Sequence, residues 1–164
     1  MGRALRPRLV LLGISFKTAP LAVRERVVVS PDALPQTLNT LRGYLEQAVL
    51  VSTCNRTELY FVPRPGQGVK TAHRFLQSFF GITPGDMRRW FYSYQDLDAV
   101  RHLFRVVCGL DSQAIGEAEV LGQVRHAFQT AHGLGMTGTL LGKVFAFAFH
   151  VARCARRHIT LPPP

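Results

Sequence analysis

Acidic side chains are scarce in this chain of 164 residues: ten Asp and Glu stand against twenty Lys and Arg, leaving a formal net charge of +10. The surplus favours a polyanionic partner, because basic groups gain free energy by releasing counterions when they meet phosphate. It serves plain solubility equally well. Cysteine is also sparse. Cys54, Cys108 and Cys154 stand about fifty residues apart, with no CxxC pair and no histidines at metal-ligand spacing. That argues against a zinc site and fits free thiols in a reducing cytoplasm. No apolar run approaches the ~18 residues of a membrane-spanning helix. The run at residues 9–14 is too short for a signal-peptide core followed by a cleavage site. Walker, HExxH and GxSxG patterns are missing. Gly66-Gln67-Gly68 is followed by Thr71 where a dinucleotide fingerprint needs a third glycine. No nicotinamide or ATP site is therefore expected in this chain, and no metal site.

Apolar residues make up 47% of the chain, enough for a real core. Residues 9–14 form a continuous apolar run, as in a buried strand. Pro20 suits the first turn of a short helix over residues 21–26. Ser30 and Pro31 are placed to cap and open a second helix, with Leu34, Leu38, Leu41 and Leu45 at helical spacing. Two β-branched and aromatic runs then flank a polar connection, Ser52-Thr53-Cys54-Asn55-Arg56-Thr57-Glu58, and read as a pair of strands. Pro63 to Gly68 breaks the chain. A helix is expected over residues 69–80, closed by Gly81. Thr83-Pro84-Gly85 reads as a turn, and residues 90–94 as a fourth strand. The order is a split β-α-β-β-α-β plan, an α+β antiparallel sheet with helices on one face, over residues 1–95. Residues 96–164 read as an all-helical subdomain. Asp96 is expected to cap its first helix, Gly109 to end that helix, residues 119–132 to form the second, and residues 139–158 to begin a long third. The terminal Leu161-Pro162-Pro163-Pro164 cannot continue a helix.

Cys54 is the first candidate for chemistry. A cation beside a thiol raises the thiolate fraction, and Arg56 is two residues away. A hairpin turn with an incidental cysteine is the plainer reading. His102 lies 48 residues further on and can meet Cys54 only through the fold; it can equally be a helix-surface histidine between Arg101 and Arg105. Residues 109–119, Gly-Leu-Asp-Ser-Gln-Ala-Ile-Gly-Glu-Ala-Glu, form a polar connection longer than a helix hairpin needs. It has either a binding role or a capping role, the latter through Asp111, Ser112 and Glu117. Cys108 and Cys154 read as packing residues.

The motifs Gly13-Ile14-Ser15-Phe16-Lys17-Thr18-Ala19-Pro20-Leu21, Ser52-Thr53-Cys54-Asn55-Arg56-Thr57-Glu58 and His102-Leu103-Phe104-Arg105, with Gly109-Leu110-Asp111-Ser112 and Gly116-Glu117, resemble the N-terminal catalytic domain of glutamyl-tRNA reductase. The likeness runs over roughly residues 8–156. It implies that Cys54 attacks the ester linking glutamate to tRNA. The resulting thioester would be reduced by NADPH to glutamate-1-semialdehyde, the precursor of 5-aminolevulinate and the tetrapyrroles. It implies His102 as a second catalytic residue. It also implies glutamyl recognition by Thr53, Asn55, Arg56, Ser112, Glu117, Ala118, Glu119 and Gln123. Arg56 suits a substrate carboxylate because its planar fork can hold two oxygens. Glutamyl-tRNA is the implied partner and the cytoplasm the implied location.

The chain departs from the family pattern in places. Phe16 stands where the family usually has His, Glu119 where it has Gln, and Arg156-Arg157-His158-Ile159 where it has Arg-Thr-Glu-Thr. The NADPH-binding and dimerisation domains of the family are expected to be absent. The hydride would then come from a full-length reductase or a separate nucleotide-binding domain. Two other readings stand beside this one: a non-catalytic tRNA- or reductase-binding module, and a repurposed tetrapyrrole-binding relative.

Overall fold

The computed structural model describes residues 8–158; residues 1–7 and 159–164, with the basic N-terminus and the proline tail, lie outside the described residues. Four strands form one sheet, β1 (Val10–Ser15), β2 (Gln47–Ser52), β3 (Arg56–Val62) and β4 (Tyr92–Gln95). Their order is β2-β3-β1-β4, and every neighbouring pair is antiparallel. This is the α+β sheet expected from the sequence. The continuous apolar run of β1 is buried at every position, as a central strand demands.

The strands are joined by α1 (Leu21–Arg24), a 3-10 turn (Glu25–Val27), α2 (Leu34–Leu41), α3 (Lys70–Phe80) and α4 (Pro84–Trp90). Three sequence expectations are corrected here. Ser30 and Pro31 do not open α2; they lie in a turn where the Ser30 hydroxyl accepts from the Ala33 amide. Thr83-Pro84-Gly85 is the start of α4. Thr83 and Asp86 form a reciprocal capping box there, so Trp90 is helical and β4 begins only at Tyr92. Asp96 does not cap α5 (Asp96–Val107): Gln95 is the cap residue, and the Asp96 carboxylate accepts from the Leu9 amide at 3.1 Å. The Asp96 amide in turn donates to the Leu9 carbonyl at 2.8 Å, which extends the β1–β4 pairing by one residue. Gly81 does close α3, at φ 66°.

After α5 come α6 (Glu119–Gly133) and α7 (Gly138–His158). Side-chain alternation on β3 separates two faces. Thr57 and Leu59 share one face with their partners Ser52 and Leu50, and Leu50 lines a cleft together with Leu34 of α2. Arg56, Glu58 and Tyr60 share the other face. There Tyr60 meets Phe145 of α7 edge-on at 5.4 Å between ring centroids. Both faces are thus covered, and the strands and later helices share one core. The outer edge of β2 is engaged by the α6–α7 connection, where the Ala48 amide donates to the Met136 carbonyl at 2.9 Å. No helix among the described residues is long and apolar enough to cross a membrane.

Candidate active site

The β2–β3 connection is short and held from several sides. The Thr53 amide donates to the Arg56 carbonyl at 2.8 Å, and the Thr53 hydroxyl accepts from the amides of Asn55 and Arg56. The Asn55 carbonyl accepts from the Phe16 amide at 2.9 Å, and Arg24 donates to the Cys54 carbonyl at 2.7 Å. Every bond is to backbone or to Thr53, which leaves the Cys54 side chain exposed. A connection pinned this way presents a thiol without ordering it through its own contacts.

A small polar pocket opens at Cys54. It is lined by Thr53, Asn55 and Arg56 from the connection, and by Ser112, Glu117, Glu119 and Gln123 from α6 and the stretch before it. All but one of the expected recognition residues therefore meet in one place. The exception is Ala118, which lines an adjoining, largely apolar cleft of about 680 Å³. That cleft shares Thr53, Cys54, Glu119 and Gln123 with the pocket and continues between α2 and α6.

Arg56 is more enclosed than its sequence position discloses. Its side chain is 1% exposed, and Nη1 donates to Glu58 at 3.0 Å and to Asp111 at 3.1 Å. Nη2 donates to the Asp111 carbonyl oxygen. Asp111 is also paired with Lys17. The 109–119 connection thus sends Asp111 into the sheet, while α6 has no side-chain cap at all. Burial opposes ionisation of Asp111, but Lys17 and Arg56 outweigh it and hold the carboxyl below its ordinary range.

Glu58 is the centre of this polar cluster. It is completely buried and accepts from Arg56, from Tyr92 at 2.6 Å, from Tyr60 at 2.7 Å and from His102 Nε2 at 2.5 Å. Burial by itself would raise its pKa, yet His102, Arg56 and Tyr92 together bring it down to about 2. The phenols respond in the opposite sense. Burial, then the neighbouring Glu58 charge, pushes both Tyr60 and Tyr92 well up. Gly13 makes the arrangement possible. A Cβ there would sit 2.7 Å from the Tyr92 ring and 2.9 Å from Glu58 Cγ.

His102 does not line the Cys54 pocket. It lines a separate cavity of about 580 Å³ with Lys17, Tyr92, Tyr94, Arg101 and Asp111. Its link to the pocket runs through Glu58, which binds both His102 and Arg56. Sequence reasoning gave Glu58 and Tyr92 no role at the site, and Asp111 only that of a helix cap, which α6 does not have. Glu58 had a usable signal, since strand alternation puts residues 56 and 58 on one face. Asp111 and Tyr92 had none, because their partners come from distant elements. Among the described residues, no group of three His, Cys, Asp or Glu could hold a metal ion. Gly66-Gln67-Gly68 does fall between β3 and α3, but β3 is antiparallel to both its neighbours. The parallel strand–helix–strand unit of a dinucleotide site is therefore not formed there, and these residues do not fit NADPH.

The family model described as glutamyl-tRNAGlu reductase, N-terminal domain, matches residues 12–159. The chain belongs to this family. It is 43% identical to the glutamyl-tRNA reductase of Stenotrophomonas maltophilia (strain K279a) over 148 residues, which are 89% of this chain and 33% of that protein. It is 38% identical to the glutamyl-tRNA reductase of Nitrosococcus oceani over 151 residues, 91% of this chain and 36% of that one. The solved glutamyl-tRNA reductase from Methanopyrus kandleri superposes with a TM-score of 0.68 at 31% identity, over 91% of this chain and 34% of that one. The chain thus spans about a third of the length of these reductases.

Proposed function

We propose that this chain carries the acyl-transfer step of glutamyl-tRNA reductase, with Cys54 as nucleophile and glutamyl-tRNA as substrate. The observation that carries the reading is the exposed Cys54 thiol at the mouth of a pocket lined by Thr53, Asn55, Arg56, Ser112, Glu117, Glu119 and Gln123. The glutamyl side chain enters that pocket. The adjoining cleft, with Ala118 on its wall, leaves room for the end of the tRNA. The Cys54 thiolate attacks the ester carbonyl, and a carbon–sulfur bond forms. The carbon–oxygen bond to the terminal ribose then breaks, and the departing oxygen takes a proton to give free tRNA. No electrons are exchanged in this step. His102 supports the site from behind, through Glu58 and Arg56.

NADPH supplies hydride in the full reaction of the family and would release the semialdehyde that leads to tetrapyrroles. Gly66-Gln67-Gly68 does not form a dinucleotide site for it. A full-length reductase or a separate nucleotide-binding domain is the partner this reading calls for, and the cytoplasm its setting. The surplus of basic residues suits the phosphates of tRNA.

The test is a single turnover with glutamyl-tRNA. The expected result is stoichiometric tRNA release, with a glutamyl adduct on the Cys54 peptide by mass spectrometry. Release that survives Cys54→Ser unchanged overturns the reading. One observation favours a binding module instead: Glu119 puts a carboxylate on the wall of a pocket meant for an anionic glutamyl group. Tight binding of glutamyl-tRNA with no release would be its signature.

A further inference from the structure

We propose that Glu58 is a positioning residue for this site, holding Arg56 at the Cys54 pocket and His102 behind it through one shared, charged carboxylate. The assignment rests on the acyl-transfer reading above and goes beyond the residues that the sequence motifs implied.

Three observations converge on Glu58. Strand alternation puts Arg56, Glu58 and Tyr60 on the same face of β3, so Arg56 lies directly beside the carboxylate at 3.0 Å. His102, from α5, and Tyr92, from β4, reach the same oxygen, Oε1, while Tyr60 takes Oε2. Arg56 lines the Cys54 pocket and His102 lines the cavity on the far side. Glu58 itself lines neither, which excludes direct contact with substrate and leaves action through its partners.

The charge matters more than the shape. Oε1 receives three donors, one of them a guanidinium, and an ionised carboxylate can accept them all. Removing the charge would leave Arg56 leaning on Asp111 alone. Asp111 is shared with Lys17 and sits in a loop, so the guanidinium would lose its fixed aim. A displacement of about 1 Å at a group that orients substrate costs on the order of a hundredfold in rate.

Glu58→Gln isolates the charge. The amide oxygen can occupy the Oε1 position, and the amide nitrogen can donate to the Tyr60 hydroxyl, which accepts as readily as it donates. The side chain keeps its volume, so the fold has no new cavity to absorb. Tyr60→Phe is the control: it removes one hydrogen bond from the same carboxylate but leaves the charge and both site partners in place.

Single-turnover tRNA release is measured for wild type, Glu58→Gln and Tyr60→Phe at saturating and limiting glutamyl-tRNA, with thermal melts in parallel. Glu58→Gln is expected to lose roughly thirtyfold or more in the saturated rate, and Tyr60→Phe to stay within about threefold. A folded Glu58→Gln within about threefold of wild type overturns the proposal. So does a Tyr60→Phe that loses as much as Glu58→Gln at a matched melting temperature, because the role would then be structural. If Glu58→Gln fails to fold, Glu58→Asp keeps the charge but withdraws it by one methylene; an unaltered rate in that variant overturns the proposal as well. A wild-type chain that forms no thioester overturns the acyl-transfer reading and this assignment with it. A wild-type thioester with an indifferent Glu58 overturns this assignment alone.

Discussion

Arg56 and Asp111 are joined across 55 residues of chain, Nη1 to Oδ2 at 3.1 Å, with Nη2 on the Asp111 carbonyl oxygen as well. The strand that follows the candidate nucleophile is thereby tied to the loop that carries Ser112 and Glu117. The two walls of the Cys54 pocket are fixed relative to each other by that bridge.

Asp111→Asn should loosen this joint. The amide can keep one hydrogen bond to Arg56 but loses the charge that pairs with both Arg56 and Lys17. The expected cost is about 1–3 kcal/mol in urea unfolding. Protection of the backbone amides of residues 109–118 should fall in hydrogen exchange, with the β1–β3 amides unchanged.

Gly13→Ala should destabilise the fold by about 1–3 kcal/mol, because the added methyl meets a ring and a side chain that are both held in place. For a domain of this size that lowers Tm by several degrees, on the order of 2–12 °C. The same change at Gly122, where an added Cβ meets nothing within 4 Å, should leave Tm unchanged or raise it.

Acid should expose Glu58. Its pKa is lowered in the folded state from 4.5 to about 2, so its contribution is fully present above the unfolded value and is lost as pH falls from 4.5 toward 2. Asp111, lowered for a related reason, adds to the same slope. Chemical denaturation from pH 6 down to pH 2 should show stability falling through this window. In Glu58→Gln the slope should be shallower, and an identical slope would contradict the assignment of the shift.

Thiol reactivity should separate the cysteines. Cys54 is exposed, whereas burial pushes the Cys108 thiol above its ordinary pKa. With limiting iodoacetamide at pH 7.5, peptide mapping should find Cys54 labelled several-fold faster than Cys108. Glutamyl-tRNA present beforehand should protect Cys54 alone.

Glu119→Gln should tighten glutamyl-tRNA binding. The residue lines the pocket, and removing its charge relieves repulsion of an anionic substrate group, worth several-fold in Kd at low salt and less at high salt. A weaker complex would show that Glu119 receives the substrate's ammonium group instead.

The sequence alone determined most of the elements and the setting of the candidate nucleophile. Continuous apolar runs became the strands β1 and β2, and the polar break between residues 52 and 58 became the Cys54 connection, because such patterns are local and short-range. The alternation of β3 even places Arg56, Glu58 and Tyr60 on one face. Local patterns misled where a cap was in play: Thr83 and Asp86 turned an expected turn into α4, and Asp96 served β1 instead of its own helix. Only the tertiary structure decided what the shared face of β3 would meet. Tyr92, His102 and Asp111 reach Glu58 or Arg56 from 34, 44 and 55 residues away, through strand register and helix docking that no local pattern encodes. That is why Arg56, an open fork for substrate on sequence grounds, proved to be a buried cation between two carboxylates. Burial left it no water, so its charge had to be met from within the protein.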